Sequence, residues 1–398
     1  MNLLSARIQN LAESETLAMS QRSSELKASG IDVINLSVGE PDFFTPKHIK
    51  EAAKEAIDSN FSFYPPVSGY LTLRKAICRK LLETNQLQYT PEQIICSNGA
   101  KQALCETLLC LINTGDEVII PAPYWVSYIE MVKLAEGKEV IIKTDINNNF
   151  KITAEQLRAA ITSKTKVFML CSPSNPSGSI YTREELSALA EVLREFPDVF
   201  VISDEIYEYI SYVGKVSSLA THNFLKDRIA VINGVSKGYA MTGWRIGWVA
   251  TPLVLARAIA KLQGQFTSAA SSIAQKAAEA AYCGDNSCVE QMRKSFENRR
   301  NLIVTLARQI PGFDVLTPDG AFYIFPVCSY YFGKTTPEGK VIENSSDLAM
   351  YLLDNAHVAS VGGDAFGVGE CIRFSYATSE ELITKAFRRI DGALRQLK

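Results

Sequence analysis

The stretch RIAVINGVSKGYAMTGWRIGWVA, residues 228–250, contains two short apolar runs separated by a glycine-rich loop. The runs 228–234 and 245–250 are continuous rather than alternating, which is typical of strands covered on both faces of a sheet. Five other candidate strands, several of them also continuous apolar runs, are IICS (94–97), EVIIPA (117–122), KEVIIK (138–143), KVFMLC (166–171) and VFVIS (199–203). The pattern predicts a sheet with helices packed on both sides.

Helix signals lie between and after these runs. In three places a threonine is followed three residues later by Glu or Gln, the pattern of a capping box that starts a helix. The three pairs are Thr153–Gln156, Thr182–Glu185 and Thr378–Glu381. Because strand and helix signals alternate across residues 48–290, we predict a large doubly wound α/β domain with a mostly parallel sheet.

The length of 398 residues predicts more than one domain. From about residue 295 the pattern changes to a charged helix followed by short strands and helices, which indicates a smaller α+β domain. We expect residues 46–290 to form the large domain and residues 291–398 the small one. We expect residues 1–45 to pack with the small domain.

Charge and hydropathy exclude several classes of function. A net charge of −2 provides no basic excess for nucleic-acid binding. The sequence has no apolar run of about 18 residues, so no membrane span is expected. The first residues, MNLLSARIQNLAESETLAMS, lack the apolar core of a signal peptide, and we expect a cytoplasmic protein.

Cysteine and histidine usage argues against a metal site. The nine cysteines are scattered without a C-x-x-C pair, which favours reduced thiols over disulfides or thiolate ligands. The three histidines, His48, His222 and His357, are not at ligand spacing. An enzyme with this sequence is therefore not expected to use a zinc ion or a histidine base.

Ligands of open α/β sheets bind beyond the carboxyl ends of strands, so the residues that follow each predicted strand are candidates. Gly99 opens a helix whose free N–H groups would bind an anion, although an ordinary turn fits the same residues. Trp125 would stack on a flat ring or belong to the core. Asn175, between two prolines, would present its amide in a fixed direction or form an Asx turn.

Two further positions carry charge. Asp204 ends a strongly apolar strand, where it needs a cation or a proton, and Tyr207 follows close by. A structural Asp–Arg pair is the competing interpretation. Lys237 lies between Ser236 and Arg245, which would bind a phosphate and lower the pKa of the amine, although a charged surface loop has the same pattern.

One ligand would use the whole set: a phosphorylated pyridine aldehyde, pyridoxal 5′-phosphate. Lys237 would form the Schiff base, Asp204 would pair with the ring nitrogen, and Trp125 would stack. Asn175 and Tyr207 would bind the phenolic oxygen. The start of the predicted helix, together with Ser236 and Arg245, would bind the phosphate; the residues at that start are Gly99, Ala100 and Lys101.

The sequence resembles a class I/II aminotransferase of the fold-type I pyridoxal-phosphate enzymes, in the aspartate aminotransferase branch common in bacteria. The matching segments occur in the order and spacing of the family and cover nearly the whole chain. They are LSVGEPDF (36–43), YPPVSGYLTLRKAI (64–77), SNGAKQAL (97–104), PYWVSY (123–128), SPSNPSG (172–178), SDEIYE (203–208), SKGYAMTGWRIGW (236–248) and RFSYA (373–377).

The resemblance implies further roles. Arg373 matches the arginine that binds the substrate α-carboxylate, and Gly39 matches a backbone position near that carboxylate. Tyr64 matches a tyrosine that reaches the phosphate of the neighbouring subunit, which implies a homodimer with shared active sites. Lys101 and the Ser14–Thr16 region resemble positions around the second carboxylate of the substrate.

The resemblance also implies the reaction. It points to a ping-pong transfer from aspartate to 2-oxoglutarate, with Lys237 as the Schiff-base lysine and the general base. Aromatic or prephenate-type substrates and a related pyridoxal-phosphate lyase remain alternatives, and a non-enzymatic regulator is a remote one. Relatives that transaminate prephenate carry a lysine about two residues before the serine, where this chain has Ala12.

Overall fold

The computed structural model describes residues 3–13 and 15–398. Its strands, labelled in chain order, are β1 Ile34–Asn35, β2 Ile94–Ser97, β3 Glu117–Pro121, β4 Lys138–Ile142, β5 Thr165–Cys171, β6 Phe200–Asp204, β7 Ile229–Gly234, β8 Gly247–Ala250, β9 Tyr323–Ile324, β10 Val358–Ala359, β11 Val361–Gly362 and β12 Ile372–Ser375. Its α-helices are α1 Ala6–Gln9, α2 Glu15–Ala28, α3 Lys47–Asp58, α4 Leu71–Lys80, α5 Ala100–Leu111, α6 Ser127–Leu134, α7 Ala154–Ala160, α8 Arg183–Glu195, α9 Leu253–Phe266, α10 Ser272–Cys283, α11 Ser287–Arg308, α12 Ser345–Tyr351 and α13 Glu380–Leu394.

The largest sheet has seven strands in the order β2-β8-β7-β6-β5-β3-β4. Strands β3 to β7 pair in parallel, whereas β8 is antiparallel to both of its neighbours. All seven predicted strands are present, with ends that differ by at most two residues. The prediction of a mostly parallel α/β sheet is confirmed.

The reversal at β8 determines where the loop from β7 to β8 lies. Because β8 runs antiparallel to β7, this loop turns back at the carboxyl edge of the sheet. Residues 235–246 therefore lie at the same edge as the ends of β5 and β6. The apolar pattern of the sequence gives no direction for a strand, so this arrangement was not predicted.

Helices cover both faces of the sheet. Along β7, Ala230 and Ile232 belong to the core formed with α5 and α9, while Ile229 and Val231 belong to cores on the other face. Alternate side chains of a strand point to opposite faces. Both sets are fully buried, which explains the continuous apolar runs.

A second, three-stranded sheet in the order β11-β12-β9 packs with α11 and α13. The N-terminal segment joins this region, because β1 pairs in parallel with β10, and Ile34 and Leu36 lie in its core. Residues 1–45, 46–290 and 291–398 remain our proposed division of the chain.

Two of the three predicted capping boxes are present. The side chains of Thr153 and Thr182 accept hydrogen bonds from the N–H groups three residues later. The third prediction is wrong, because the last helix starts one residue later: Ser379 is the N-cap and accepts from the N–H of Leu382. None of the described helices combines the length and the apolar character that a membrane span requires.

Candidate active site

A cavity of about 370 Å³ lies at the carboxyl edge of the large sheet. Its volume is in the range of small-molecule sites. Most of the predicted site residues line it together: Thr16, Gly39, Ala100, Lys101, Trp125, Asn175, Asp204, Tyr207, Ser236, Lys237, Arg245 and Arg373. Among the described residues, no group of three or more His, Cys, Asp and Glu side chains is placed to hold a metal ion.

Lys237 follows β7 and reaches into the cavity, where its Nζ donates a hydrogen bond to the Gly39 carbonyl oxygen at 2.5 Å. The pKa of this amine is lowered to about 8, mainly by burial and also by the positive charges of Arg245 and Arg373, while two nearby carboxylates act in the opposite direction. A lysine with such a pKa is partly neutral near physiological pH, so it can act as a nucleophile or a base.

Asp204 ends β6 and is 4% exposed. Its Oδ2 accepts a hydrogen bond from the Tyr128 hydroxyl at 2.6 Å, and its Oδ1 accepts one from the N–H of Ile206 at 3.2 Å. Burial raises its pKa to about 6, and these hydrogen bonds act in the opposite direction. Its carboxylate forms no ion pair with an arginine in the described chain, contrary to the competing interpretation.

Arg373 on β12 is 1% exposed. Its Nη1 donates to Asn175 Oδ1 at 2.9 Å, and its Nη2 donates to the Ser37 carbonyl at 2.5 Å. The rings of Tyr323 and Phe366 flank the guanidinium, with centroids at 4.6 and 4.8 Å. Its Nε is buried and has no hydrogen-bond partner among the described residues, which is unusual for a buried donor.

Asn175 is buried at 5% exposure in the loop after β5. Its oxygen accepts from Arg373 rather than from a local backbone N–H, so the loop is not a simple Asx turn. Its Nδ2 makes no hydrogen bond within the described chain and is free to donate to a ligand.

The start of α5 lies at the end of the cavity where the sequence predicts an anion site. Gly99 is the N-cap with a φ of +89°, and no side chain caps the first N–H groups of the helix. The Arg245 guanidinium lies against it: a Cβ on Gly99 would be 2.3 Å from Nη2. Free N–H groups, a guanidinium and the Ser236 hydroxyl in one cavity suit a phosphate.

Of the other predicted residues, three line the cavity, one lies outside it and one is not among the described residues. Lys101 Nζ is 4.9 Å from the centre of the Trp125 ring, which lines the cavity and also packs against the core between the large sheet and α5. Thr16 comes from α2. Tyr64 is 95% exposed and lines no part of this cavity. Ser14 lies outside the described residues.

Sequence reasoning missed two buried tyrosines. Tyr128 donates to Asp204, and Tyr323 is hydrogen-bonded through its hydroxyl to the Tyr207 hydroxyl at 2.8 Å. Tyr323 also explains why position 39 is a glycine, because a Cβ at that position would be 2.5 Å from the Tyr323 hydroxyl oxygen. Tyr128 stands in the segment PYWVSY (123–128) and Tyr323 in an apolar segment of the small domain, where an aromatic usually belongs to the core.

A family model described as "Aminotransferase class I and II" matches residues 31–390. The chain belongs to this family. It is 47% identical, over 98% of each chain, to the "Probable aspartate/prephenate aminotransferase" of Rhizobium leguminosarum bv. phaseoli. It is 44% identical to an "Aspartate aminotransferase" of Rhizobium meliloti (strain 1021), over 98% of this chain and 96% of the relative.

Solved structures agree with this assignment. The aspartate aminotransferase from Rhizobium meliloti matches with a TM-score of 0.96 at 42% identity, over 100% of both chains. An aspartate aminotransferase from Thermus thermophilus, solved with maleate, matches with a TM-score of 0.92 at 37% identity, over 99% of this chain and 100% of that chain. The predicted fold-type I architecture is therefore confirmed.

Class I and II aminotransferases use pyridoxal 5′-phosphate, so the predicted family, enzyme class and cofactor are confirmed. The geometry of the site fits this cofactor. Asp204 is a buried carboxylate that forms no ion pair with the described residues, which suits a protonated ring nitrogen, and the start of α5 suits the phosphate. The Arg373 guanidinium, whose Nε has no hydrogen-bond partner among residues 3–13 and 15–398, suits a substrate carboxylate.

Proposed function

We propose that the protein transfers the amino group of aspartate to 2-oxoglutarate, which yields oxaloacetate and glutamate in a ping-pong cycle. One observation carries the proposal: the Lys237 amine, the Asp204 carboxylate and the incompletely paired Arg373 guanidinium lie in one cavity. These are an amine of lowered pKa, a buried anion and a buried cation, which together suit a pyridoxal-phosphate enzyme acting on an amino acid.

Bound pyridoxal 5′-phosphate would supply an aldehyde that takes up the amino group and a protonated ring that withdraws electrons from the substrate Cα. Asp204 would hold the ring nitrogen in its protonated form. Asn175 Nδ2 and the Tyr207 hydroxyl would donate to the phenolic oxygen, and Trp125 would stack on the ring. Ser236, Arg245 and the N-terminus of α5 would bind the phosphate.

Arg373 would bind the substrate α-carboxylate in a bidentate manner, since it has a free Nε beside Nη donors. Lys101 and Thr16, which line the same cavity, would bind the second carboxylate. The Thermus thermophilus relative has been solved with maleate, a four-carbon dicarboxylate. That supports a dicarboxylate substrate for this chain too.

Lys237 would act as the general base. With a pKa of about 8, its amine could take the proton from the substrate Cα, hold it as the ammonium and give it up again within the cavity. The Gly39 carbonyl oxygen holds the amine in place inside the cavity.

We further propose a homodimer. Tyr64 is 95% exposed in the single chain, and the neighbouring Phe63 is 81% exposed. Large aromatics exposed side by side are typical of an interface. The role of Tyr64 at the phosphate of a second subunit requires such a dimer. A cytoplasmic location also stays a prediction.

Prephenate is a second candidate amino acceptor, because several relatives are named aspartate/prephenate aminotransferases. In this chain position 12 is an alanine, whose N–H donates to Glu130 Oε2 at 2.8 Å. No side-chain cation is provided there. Aspartate and 2-oxoglutarate therefore remain the preferred pair.

The test is an assay of the pyridoxal-phosphate-loaded protein with aspartate and 2-oxoglutarate, with oxaloacetate and glutamate measured separately. Equal amounts of both products are expected, together with complete loss in Lys237→Ala. Ammonia release from aspartate without 2-oxoglutarate would instead indicate a lyase. Protein that shows neither turnover nor cofactor absorbance after incubation with pyridoxal 5′-phosphate would indicate the non-enzymatic regulator. The same assay with prephenate in place of 2-oxoglutarate tests the second candidate.

A further inference from the structure

Asp204 has an unusual environment for a buried carboxylate. The groups that face it from the packed elements are Tyr128 on α6, Cys171 at the end of β5 and Lys237 after β7. The Cys171 thiol donates to the Pro173 carbonyl, and the Lys237 amine donates to a backbone carbonyl. Within the described chain, Tyr128 is thus the only side chain that donates a hydrogen bond to Asp204.

The Tyr128 hydroxyl is held in place by packing. The side chain is 2% exposed, and its ring meets the Trp125 ring edge to face, at 5.5 Å and 89°. The O–O distance of 2.6 Å to Oδ2 is typical of a hydroxyl that donates to an ionised carboxylate. Burial raises the pKa of Tyr128 well above its ordinary value, so the phenol keeps its proton and remains a donor.

We propose that Tyr128 is a positioning residue that keeps the Asp204 carboxylate ionised and oriented into the cavity, where the ring nitrogen of the cofactor binds. The inference rests on the proposed function and assigns a role to a side chain that does not itself need to touch the cofactor. Tyr128 fixes Oδ2, and the N–H of Ile206 fixes Oδ1. The two bonds together set the plane of the carboxylate, which lines the cavity.

The physical reason is the opposition between burial and hydrogen bonding. Burial favours the neutral acid, and the Tyr128 hydrogen bond favours the anion. Without the phenol, the pKa of Asp204 rises. More of the protein is then protonated at Asp204 near neutral pH, and a neutral acid no longer pairs with a protonated ring nitrogen.

The experiment measures pyridoxal 5′-phosphate affinity of the apo protein from pH 5 to 9, by cofactor absorbance, in wild type and Tyr128→Phe. We expect roughly tenfold weaker binding in Tyr128→Phe near neutral pH, the size expected for a lost hydrogen bond to a charged group. The acid-side loss of affinity should move upward by roughly one pH unit. The matched control is Tyr351→Phe, because the Tyr351 hydroxyl is also buried and donates to the Ala393 carbonyl at 2.8 Å, away from the cavity.

A purely structural role would weaken binding without moving the pH midpoint, and that result would overturn the inference. The Asp204→Asn background provides a second test, because the asparagine cannot titrate. In that background Tyr128→Phe should cause no shift in the pH midpoint of cofactor binding. A shift as large as in the wild-type background would also overturn the inference. Wild-type protein that binds no pyridoxal 5′-phosphate would overturn the proposed function together with this inference, whereas an unshifted Tyr128→Phe overturns the inference alone.

Discussion

The Lys237 amine lies among charges of both signs, and burial decides the balance. Removal from water disfavours the ammonium form, and Arg245 and Arg373 add repulsion, while Glu40 and Asp204 stabilise the charge. The resulting pKa of about 8 is well below the ordinary lysine value of 10.5. The amine is therefore reactive at pH values where a surface lysine stays protonated.

The rate at which the apo protein takes up pyridoxal 5′-phosphate should follow this titration. Only the neutral amine attacks an aldehyde, so the rate should rise with pH and level off above about 8. Stopped-flow absorbance at a series of pH values measures it. In Glu40→Gln the midpoint should fall, because a carboxylate that favours the ammonium is lost. A rate that keeps rising toward pH 10.5 would show that Lys237 is not perturbed.

Lys101 should distinguish substrates by their side-chain charge. Lys101→Ala should reduce kcat/KM for aspartate and glutamate by about tenfold or more, the loss expected for a charged hydrogen bond. Donors without a second carboxylate, such as phenylalanine, should change little. A panel of donors with saturating 2-oxoglutarate tests this. Lys138→Ala, at an exposed lysine on β4, is the control, and an equal loss across all donors would contradict the assignment.

At this scale the sequence predicted charges better than hydroxyls. Charged residues such as Asp204 and Lys237 are uncommon in buried positions, so their placement after apolar runs made them candidates, whereas Arg373 was assigned from the family resemblance alone. Tyr128 and Tyr323 are ordinary in such positions. Only the folded chain shows that their hydroxyls meet Asp204 and Tyr207.

Among the secondary-structure elements, the start of α13 differs from its prediction, because the N-cap is the residue after the predicted one. The sequence offers Thr378 with Glu381, yet the Ser379 side chain accepts the hydrogen bond from Leu382. A shift of one residue leaves both patterns plausible in sequence, because Ser and Thr are similar N-cap residues. Alanine substitutions at the two positions should therefore differ in their effect on the free energy of unfolding.

Ser379→Ala should lower the free energy of unfolding by about 1 kcal/mol, the usual cost of a lost N-cap. Thr378→Ala should change it by less than about half of that, as for other substitutions away from such features. Chemical denaturation followed by circular dichroism measures both variants. A larger loss of stability in Thr378→Ala than in Ser379→Ala would contradict this assignment and favour the predicted Thr378–Glu381 capping box.

The sequence predicted the positions of the strands in the large sheet, but it did not predict the antiparallel direction of β8. Continuous apolar runs located the strands because both faces are covered. The antiparallel direction of β8 depends on the length and path of the loop that holds Lys237 and Arg245. Apolar periodicity does not record that path.

For the whole molecule, the position of Tyr64 has the largest consequence. All other described residues predicted for the site lie in or beside one cavity, while Tyr64 is exposed outside it. If each active site uses Tyr64 from the second subunit, two inactive variants with substitutions in different parts of the site should form active mixed dimers.

Tyr64→Ala and Lys237→Ala proteins, each nearly inactive, should recover activity when mixed under conditions that permit subunit exchange. Random pairing gives one intact site in each mixed dimer, or about a quarter of all sites. Activity measured before and after exchange, with dimers verified by sedimentation, tests this. Activity no greater than the sum of the separate proteins would argue that Tyr64 does not act across subunits.

The most direct measurement concerns the attachment of the cofactor. The holo protein is reduced with sodium borohydride, digested and mapped by mass spectrometry. We predict one pyridoxyl-modified peptide, with the modification on Lys237, and none in Lys237→Ala. A modification on another lysine such as Lys101, or no modified peptide from holo protein, would contradict the proposed active site.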